Sequence, residues 1–178
     1  MSETITSSQQ PKIDFTHLHV HSQYSLLDGK ATIKQLVDKA RADWMPGIAL
    51  TDHGNMYGIK EFFNYVGKVN SGKEESEKFK PVFGCEMYVA RERLTDKNDK
   101  TDNGYHLIVL AKNLTGYKNL IKLVSKAWTD GMYYKPRTDR YELAAHKEGL
   151  IICSACLGGE VPQLIDRKST RLNSSHLP

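Results

Sequence analysis

The chain reads as one α/β domain, and three observations predict it. Short apolar runs of strand character, at 47–51, 81–90, 105–111 and 150–154, alternate with stretches whose apolar residues recur at helical period. His21, His53 and Cys156 stand at or just beyond the ends of strand runs, where α/β folds gather their reactive groups. A length of 178 residues, with 39% hydrophobic and 26% charged content, suits a single soluble domain with its own core. Strands alternating with helices imply parallel pairing.

The segment Met1–Gln10 is polar and lacks the apolar centre of a secretory signal, so residues 1–13 are expected to be a disordered leader on a cytoplasmic protein. Phe15–His21 reads as the first strand, with His17, His19 and His21 on one face and Leu18 and Val20 on the other. Thr32 and Gln35 form a capping box that opens a helix to about Asp43, with Ile33, Leu36, Val37 and Ala40 as its apolar stripe. Pro46-Gly47 ends it, 47–51 is a buried strand, and 57–69 is a second helix.

Residues 81–90 form a third strand carrying Glu86, between charged loops at 71–80 and 91–103, and 105–111 form a fourth. Asn113 caps a helix whose Leu114, Tyr117, Leu120, Ile121, Val124 and Trp128 predict a core-facing stripe, which is packing and not a cofactor box. Residues 130–140 read as a turn-rich loop, 141–147 as a short helix, and 150–154 as a last strand leading to Cys156. Residues 167–178 break the pattern, have no periodicity and resemble a translated sequencing-adapter tail. They are expected to be non-native, which removes His176 from consideration and leaves 14–166 as the domain.

Composition narrows the function. Net charge is +4, but Arg167, Lys168 and Arg171 supply three of those charges, which leaves residues 1–166 near neutral at +1. Any nucleic-acid contact must then come from local patches. No run approaches the roughly 18 apolar residues of a membrane span, and three cysteines do not make a disulfide framework, which suits a reducing compartment.

The chemistry lies in His17-Leu18-His19-Val20-His21, Asp28-Gly29 and Thr51-Asp52-His53-Gly54. Converging imidazoles and carboxylates suit Zn2+, Mn2+ or Fe better than Ca2+ or Mg2+ alone. Each residue also has a plainer reading: the histidines as a wet strand edge, Asp28 as a turn former. Glu86, if buried, must be paired or metal-bound. Cys153 and Cys156 could be a redox pair, a reading that leaves the histidines unexplained. His106 lies at the start of its strand, the wrong end for a site in a parallel sheet, so its position leaves it undecided. His17 and Asp52 are expected to hold ligand imidazoles in the right tautomer, not to bind metal themselves. His146 is expected at the surface. Tyr133, Tyr134, Lys135 and Arg137 combine aromatics with cations, either as a phosphate or single-strand contact or as a solvated loop against a neighbouring domain.

The ordered set His-x-His, Asp-Gly, Thr-Asp-His-Gly, Gly-Cys-Glu, Tyr-His-Leu and Ala-Cys-Leu-Gly-Gly-Glu resembles the PHP (polymerase and histidinol phosphatase) domain. The resemblance covers Phe15 to Ile165. It is to the version that opens the bacterial replicative DNA polymerase III alpha subunit, through 15–29 and through Tyr133-Tyr134-Lys135-Pro136-Arg137 ahead of Glu148-Gly149-Leu150-Ile151. It implies a distorted (βα)7 barrel, here truncated before closing, with metal ligands at His19, His21, Asp28, His53, Glu86, His106 and Cys156. The family's final Asp-x-His motif has no counterpart here, so the fragment alone is expected to be inactive.

The resemblance further implies two or three divalent metals, zinc and/or manganese, with magnesium for the polymerase parent. The implied activity is a 3′ to 5′ exonuclease on a primer end, and the implied partners are DNA, the remaining polymerase domains and other replicase subunits. A monofunctional phosphatase of the histidinol phosphatase type and a metal-stabilised, noncatalytic scaffold are the alternatives.

Overall fold

The computed structural model describes residues 15–166; the expected leader and the expected non-native tail, with His176, lie outside the described residues. Thr32 starts the first helix, α1 (Ile33–Ala42), by the expected capping box: its hydroxyl accepts the Gln35 amide hydrogen, and the Gln35 side chain accepts the Thr32 N–H at 2.9 Å. Then follow β1 (Gly47–Leu50), α2 (Ile59–Val69), β2 (Lys80–Val89), β3 (Tyr105–Ala111), α3 (Leu114–Thr129), β4 (Met132–Tyr133), β5 (Lys135–Thr138), α4 (Arg140–Ala145) and β6 (Leu150–Cys153). A last helical run covers 160–166.

The sheet has the order β4-β5-β2-β3-β6, with β1 also on β2. Along one edge of β2, β1 pairs in parallel over Lys80–Phe83, the chain beyond β1 continues to an isolated bridge between His53 and Glu86, and β5 takes over in parallel at Tyr88 and Val89. On the other edge β3 runs antiparallel, and β6 is antiparallel to β3. The sheet is therefore mixed, not parallel as expected. A parallel return needs a crossover, usually a helix, and the 91–103 connection between β2 and β3 contains none.

Pleating divides the molecule. Ile48 and Leu50 of β1 pack with Ile33 and Val37 of α1 and Phe62 and Val66 of α2. Cys85 and Met87 of β2 and Val109 of β3 pack against Leu120, Leu123 and Val124 of α3. Full burial of a side chain such as Phe62 stabilises by roughly 1.5–3 kcal/mol. Because side chains alternate along β2, Glu86 and Tyr88 point away from this helix layer.

Three local expectations are corrected. Phe15–His21 is not a regular strand: Ala49 and Thr51, two residues apart, donate to the carbonyls of His17 and Val20, three apart. One extra residue bends the chain at Leu18-His19. Residues 130–140 hold the β4–β5 hairpin, with Tyr134 at its tip in the left-handed region at φ 59°. The buried stripe of α3 is Gly116, Leu120, Leu123, Val124 and Ala127, while Leu114, Ile121 and Trp128 are exposed on its flank. The Trp128 indole N–H donates to the Gly54 carbonyl at 2.8 Å.

Candidate metal centre

Glu86 is only 1% exposed, and an ionised carboxylate at that depth requires partners. Its Oε2 lies 2.6 Å from His19 Nε2 and 3.4 Å from His21 Nε2; its Oε1 lies 2.7 Å from His53 Nδ1 and 3.3 Å from His106 Nδ1. Burial by itself would raise the carboxyl, and the surrounding imidazoles outweigh it, holding Glu86 down at about 2. His21 is pulled down by burial but ends raised, through its hydrogen bond to Glu86 and the charges of Glu86, Asp28 and Asp52. His106 ends lowered, by burial first and then by the charges of Lys135, His53 and His19 against that of Glu86.

Each donor arrives for a local reason. The bend at Leu18-His19 separates the three histidines of the first motif: His19 and His21 meet with their Nε2 atoms 3.0 Å apart, while the exposed His17 lies with its ring edge on Phe15. The shared face expected for all three is thus lost at His17. Asp28 sits in a turn closed by the Gly29 amide on the Ser25 carbonyl, and its Oδ2 lies 2.8 Å from His53 Nε2, which lowers its pKa.

His53 follows β1 and stacks on His21 at 4.0 Å between ring centroids. It is held there by Gly54, whose N–H donates to the Glu86 carbonyl. Gly54 has φ +60°, and a Cβ on it would stand 2.6 Å from Pro136 Cγ, so both the conformation and the space call for glycine. His106 opens β3 and pairs with Tyr88; because β3 runs antiparallel, its beginning lies at the same end of the sheet as the end of β2. That removes the objection its position raised. Cys156, in the exposed loop after β6, has its Sγ 3.5 Å from His106 Nδ1.

His19, His21, Asp28, His53, Glu86, His106 and Cys156 are therefore linked by short contacts into one cluster. Asp52 touches no imidazole. It is buried and accepts the Ser22 N–H at 2.7 Å, the Ser22 hydroxyl at 2.9 Å and the Ser25 hydroxyl at 2.6 Å. Ser25 Oγ in turn lies 3.2 Å from His21 Nδ1 and accepts the His53 amide hydrogen at 3.1 Å. Tyr88 brings its hydroxyl to 3.1 Å from His53 Nδ1. Ser22, Ser25 and Tyr88 gave no signal in the sequence, since nothing there marks a hydroxyl as buried.

The residues expected to meet nucleic acid divide. Tyr134 is 75% exposed, and the Lys135 ammonium lies 4.3 Å over the Tyr88 ring, at the rim of the cluster. Arg137 is fully buried: it pairs with Asp102 at 3.0 Å, donates to the carbonyls of Leu94 and Asp96, and lies over the Tyr133 ring. Its expected role in nucleic-acid contact is corrected, because its charge serves to tie the 91–103 loop to β5. His146 is half-buried at the end of α4, near Glu142.

Among the described residues, two groups could hold a metal ion, His19, His21 and Glu86, and His21, Asp28 and His53, with the donor atoms of each within 4.8 Å of one another. Ligand atoms about 2.0–2.2 Å from a tetrahedral zinc lie roughly 3.3 Å apart, and the separations around Glu86 Oε2 bracket that figure. Both nitrogens of His53 face carboxylate oxygens, although a neutral imidazole carries one N–H. Imidazoles and carboxylates that converge in this way are the donor types a divalent ion such as zinc takes.

The model of the PHP domain family matches residues 17–175. The chain belongs to the PHP domain family. Relatives of this PHP domain include the DNA polymerase III subunit alpha of Treponema pallidum (strain Nichols), 48% identical over 93% of this chain and 14% of the relative. The protein of the same name from Thermus aquaticus is 45% identical over 91% of this chain and 13% of the relative, and that from Helicobacter pylori 40% over 88% and 12%. The PHP domain thus spans 12–14% of the length of these curated relatives. Among the described residues, no helix is long and apolar enough to cross a membrane.

Proposed function

We propose that this PHP domain is a metal-dependent phosphodiester hydrolase within a DNA polymerase III subunit alpha, where it removes nucleotides from the 3′ end of a primer. The observation that carries the reading is one buried carboxylate, Glu86, ringed by four imidazoles from three separate parts of the chain, with a second carboxylate and a thiol in contact with that ring. His19, His21, Asp28, His53, Glu86, His106 and Cys156 would hold two or three divalent ions, zinc and/or manganese, with magnesium serving the polymerase parent. Ions of this kind lower the pKa of water towards neutrality and clamp phosphate oxygens.

The chain's own side chains supply the rest. Lys135 offers a cation to a phosphate at the rim, and Tyr134 offers a ring on which an unpaired base can stack. DNA, the remaining polymerase domains and other replicase subunits are the partners, a reading supported by the names of the relatives. The mixed sheet belongs to a distorted (βα)7 barrel. In support of this, β6 ends the sheet order, and its Ile151 and Ile152 are exposed, as an edge awaiting a further strand would be.

The full-length polypeptide, supplied with Zn2+ or Mn2+, is expected to shorten a 3′-mismatched primer, and the variant carrying both His19→Ala and His21→Ala is expected to lose that activity and metal binding together. Digestion by the double variant equal to that of the wild type rejects hydrolysis at this site.

A further inference from the structure

We infer that Ser25 is a positioning residue, which, held by Asp52, fixes His21 as the tautomer protonated on Nδ1 and turns the lone pair of Nε2 into the cluster. The consequence for metal binding rests on the function proposed above; the tautomer itself does not.

Ser25 is fully buried and has one hydroxyl hydrogen. Asp52 accepts three hydrogen bonds, from the Ser22 amide, the Ser22 hydroxyl and the Ser25 hydroxyl, and the last is the shortest at 2.6 Å. The hydrogen of Ser25 is thereby committed to Asp52. Its oxygen can then only accept, and it does so from the His53 amide at 3.1 Å. The remaining neighbour is His21 Nδ1 at 3.2 Å, which must supply the hydrogen of that contact. With Nδ1 protonated, a neutral His21 has a bare Nε2, and the hydrogen bond from Nε2 to Glu86 that raises its pKa belongs to the doubly protonated imidazolium. This Nε2 lies 3.0 Å from His19 Nε2 and 3.4 Å from Glu86 Oε2, inside the candidate metal group.

The same hydroxyl grips the backbone of His53, so one side chain orients both imidazoles that stack at the centre. Orientation of a ligand imidazole through its other nitrogen affects metal affinity by about 10–100-fold.

The test uses the metal-free full chain at a pH where imidazoles are neutral, with long-range 1H–15N NMR reading the tautomer of His21. Wild type is expected to show Nδ1–H, Ser25→Ala to shift towards Nε2–H, and Ser25→Thr, which keeps the hydroxyl, to restore the wild-type pattern. Zinc affinity by calorimetry is expected to fall about 10–100-fold in Ser25→Ala and to recover in Ser25→Thr. A wild-type His21 protonated on Nε2, or a Ser25→Ala protein that retains Nδ1–H, overturns the inference. Should Ser25→Ala fail to fold, the wild-type spectrum alone decides. A wild type with the expected tautomer but no zinc binding defeats the metal reading and leaves the tautomer standing.

Discussion

Glu86 keeps its charge in the interior because four ring nitrogens lie within 3.4 Å of its two oxygens. Glu86→Gln removes that charge while keeping the shape, and it is expected to weaken zinc binding, read by calorimetry, by more than the roughly 10–100-fold typical of groups that only support a ligand. The cysteines offer a second check. Burial, helped by the charges of Asp52 and Glu86, pushes the Cys85 thiol up, whereas Cys156 is exposed. Iodoacetamide is therefore expected to label Cys156 and spare Cys85 in the native protein, and added Zn2+ to slow labelling at Cys156. Unchanged labelling of Cys156 with zinc counts against it as a ligand. The histidines of the first motif and His53 were legible as a metal-binding pattern, and the resemblance to the PHP domain supplied the rest of the donor set, Asp28, Glu86, His106 and Cys156. Ser25 was not legible, since its importance comes from burial between Asp52 and two histidines distant in the chain.

At the level of elements, capping and period were readable: Thr32 with Gln35 at α1, Asn113 at α3. What depends on distant pairing was not. The bend in 15–21 and the antiparallel course of β3 arise from neighbours remote in sequence, while the β4–β5 hairpin is local but turns at Tyr134, a residue type that does not mark a left-handed turn. The Arg137–Asp102 pair shows the cost of reading a cation as a surface residue. Arg137→Met leaves Asp102 buried without its partner, and denaturant unfolding is expected to show a loss of about 3–5 kcal/mol. Lys135→Ala, at the rim, is expected to stay within about 0.5 kcal/mol of wild type while weakening binding of a single-stranded primer end. Equal stability losses in the two variants would refute this division.

For the molecule as a whole, residues between His19 and Cys156 meet at one point, so metal binding ties distant segments together. Zinc at 100 times its dissociation constant is expected to add about 2.7 kcal/mol to stability, seen as a rise in melting temperature that EDTA reverses. A melting temperature indifferent to zinc would contradict a metal centre. His21 belongs to both candidate donor groups, and its Nδ1 is engaged by Ser25. Two ions loaded in turn would have to compete for a single imidazole. Occupancy is therefore expected to proceed in unequal steps, the first ion taking His21 and the second settling for a poorer coordination shell, so that a titration departs from the curve of two independent equivalents.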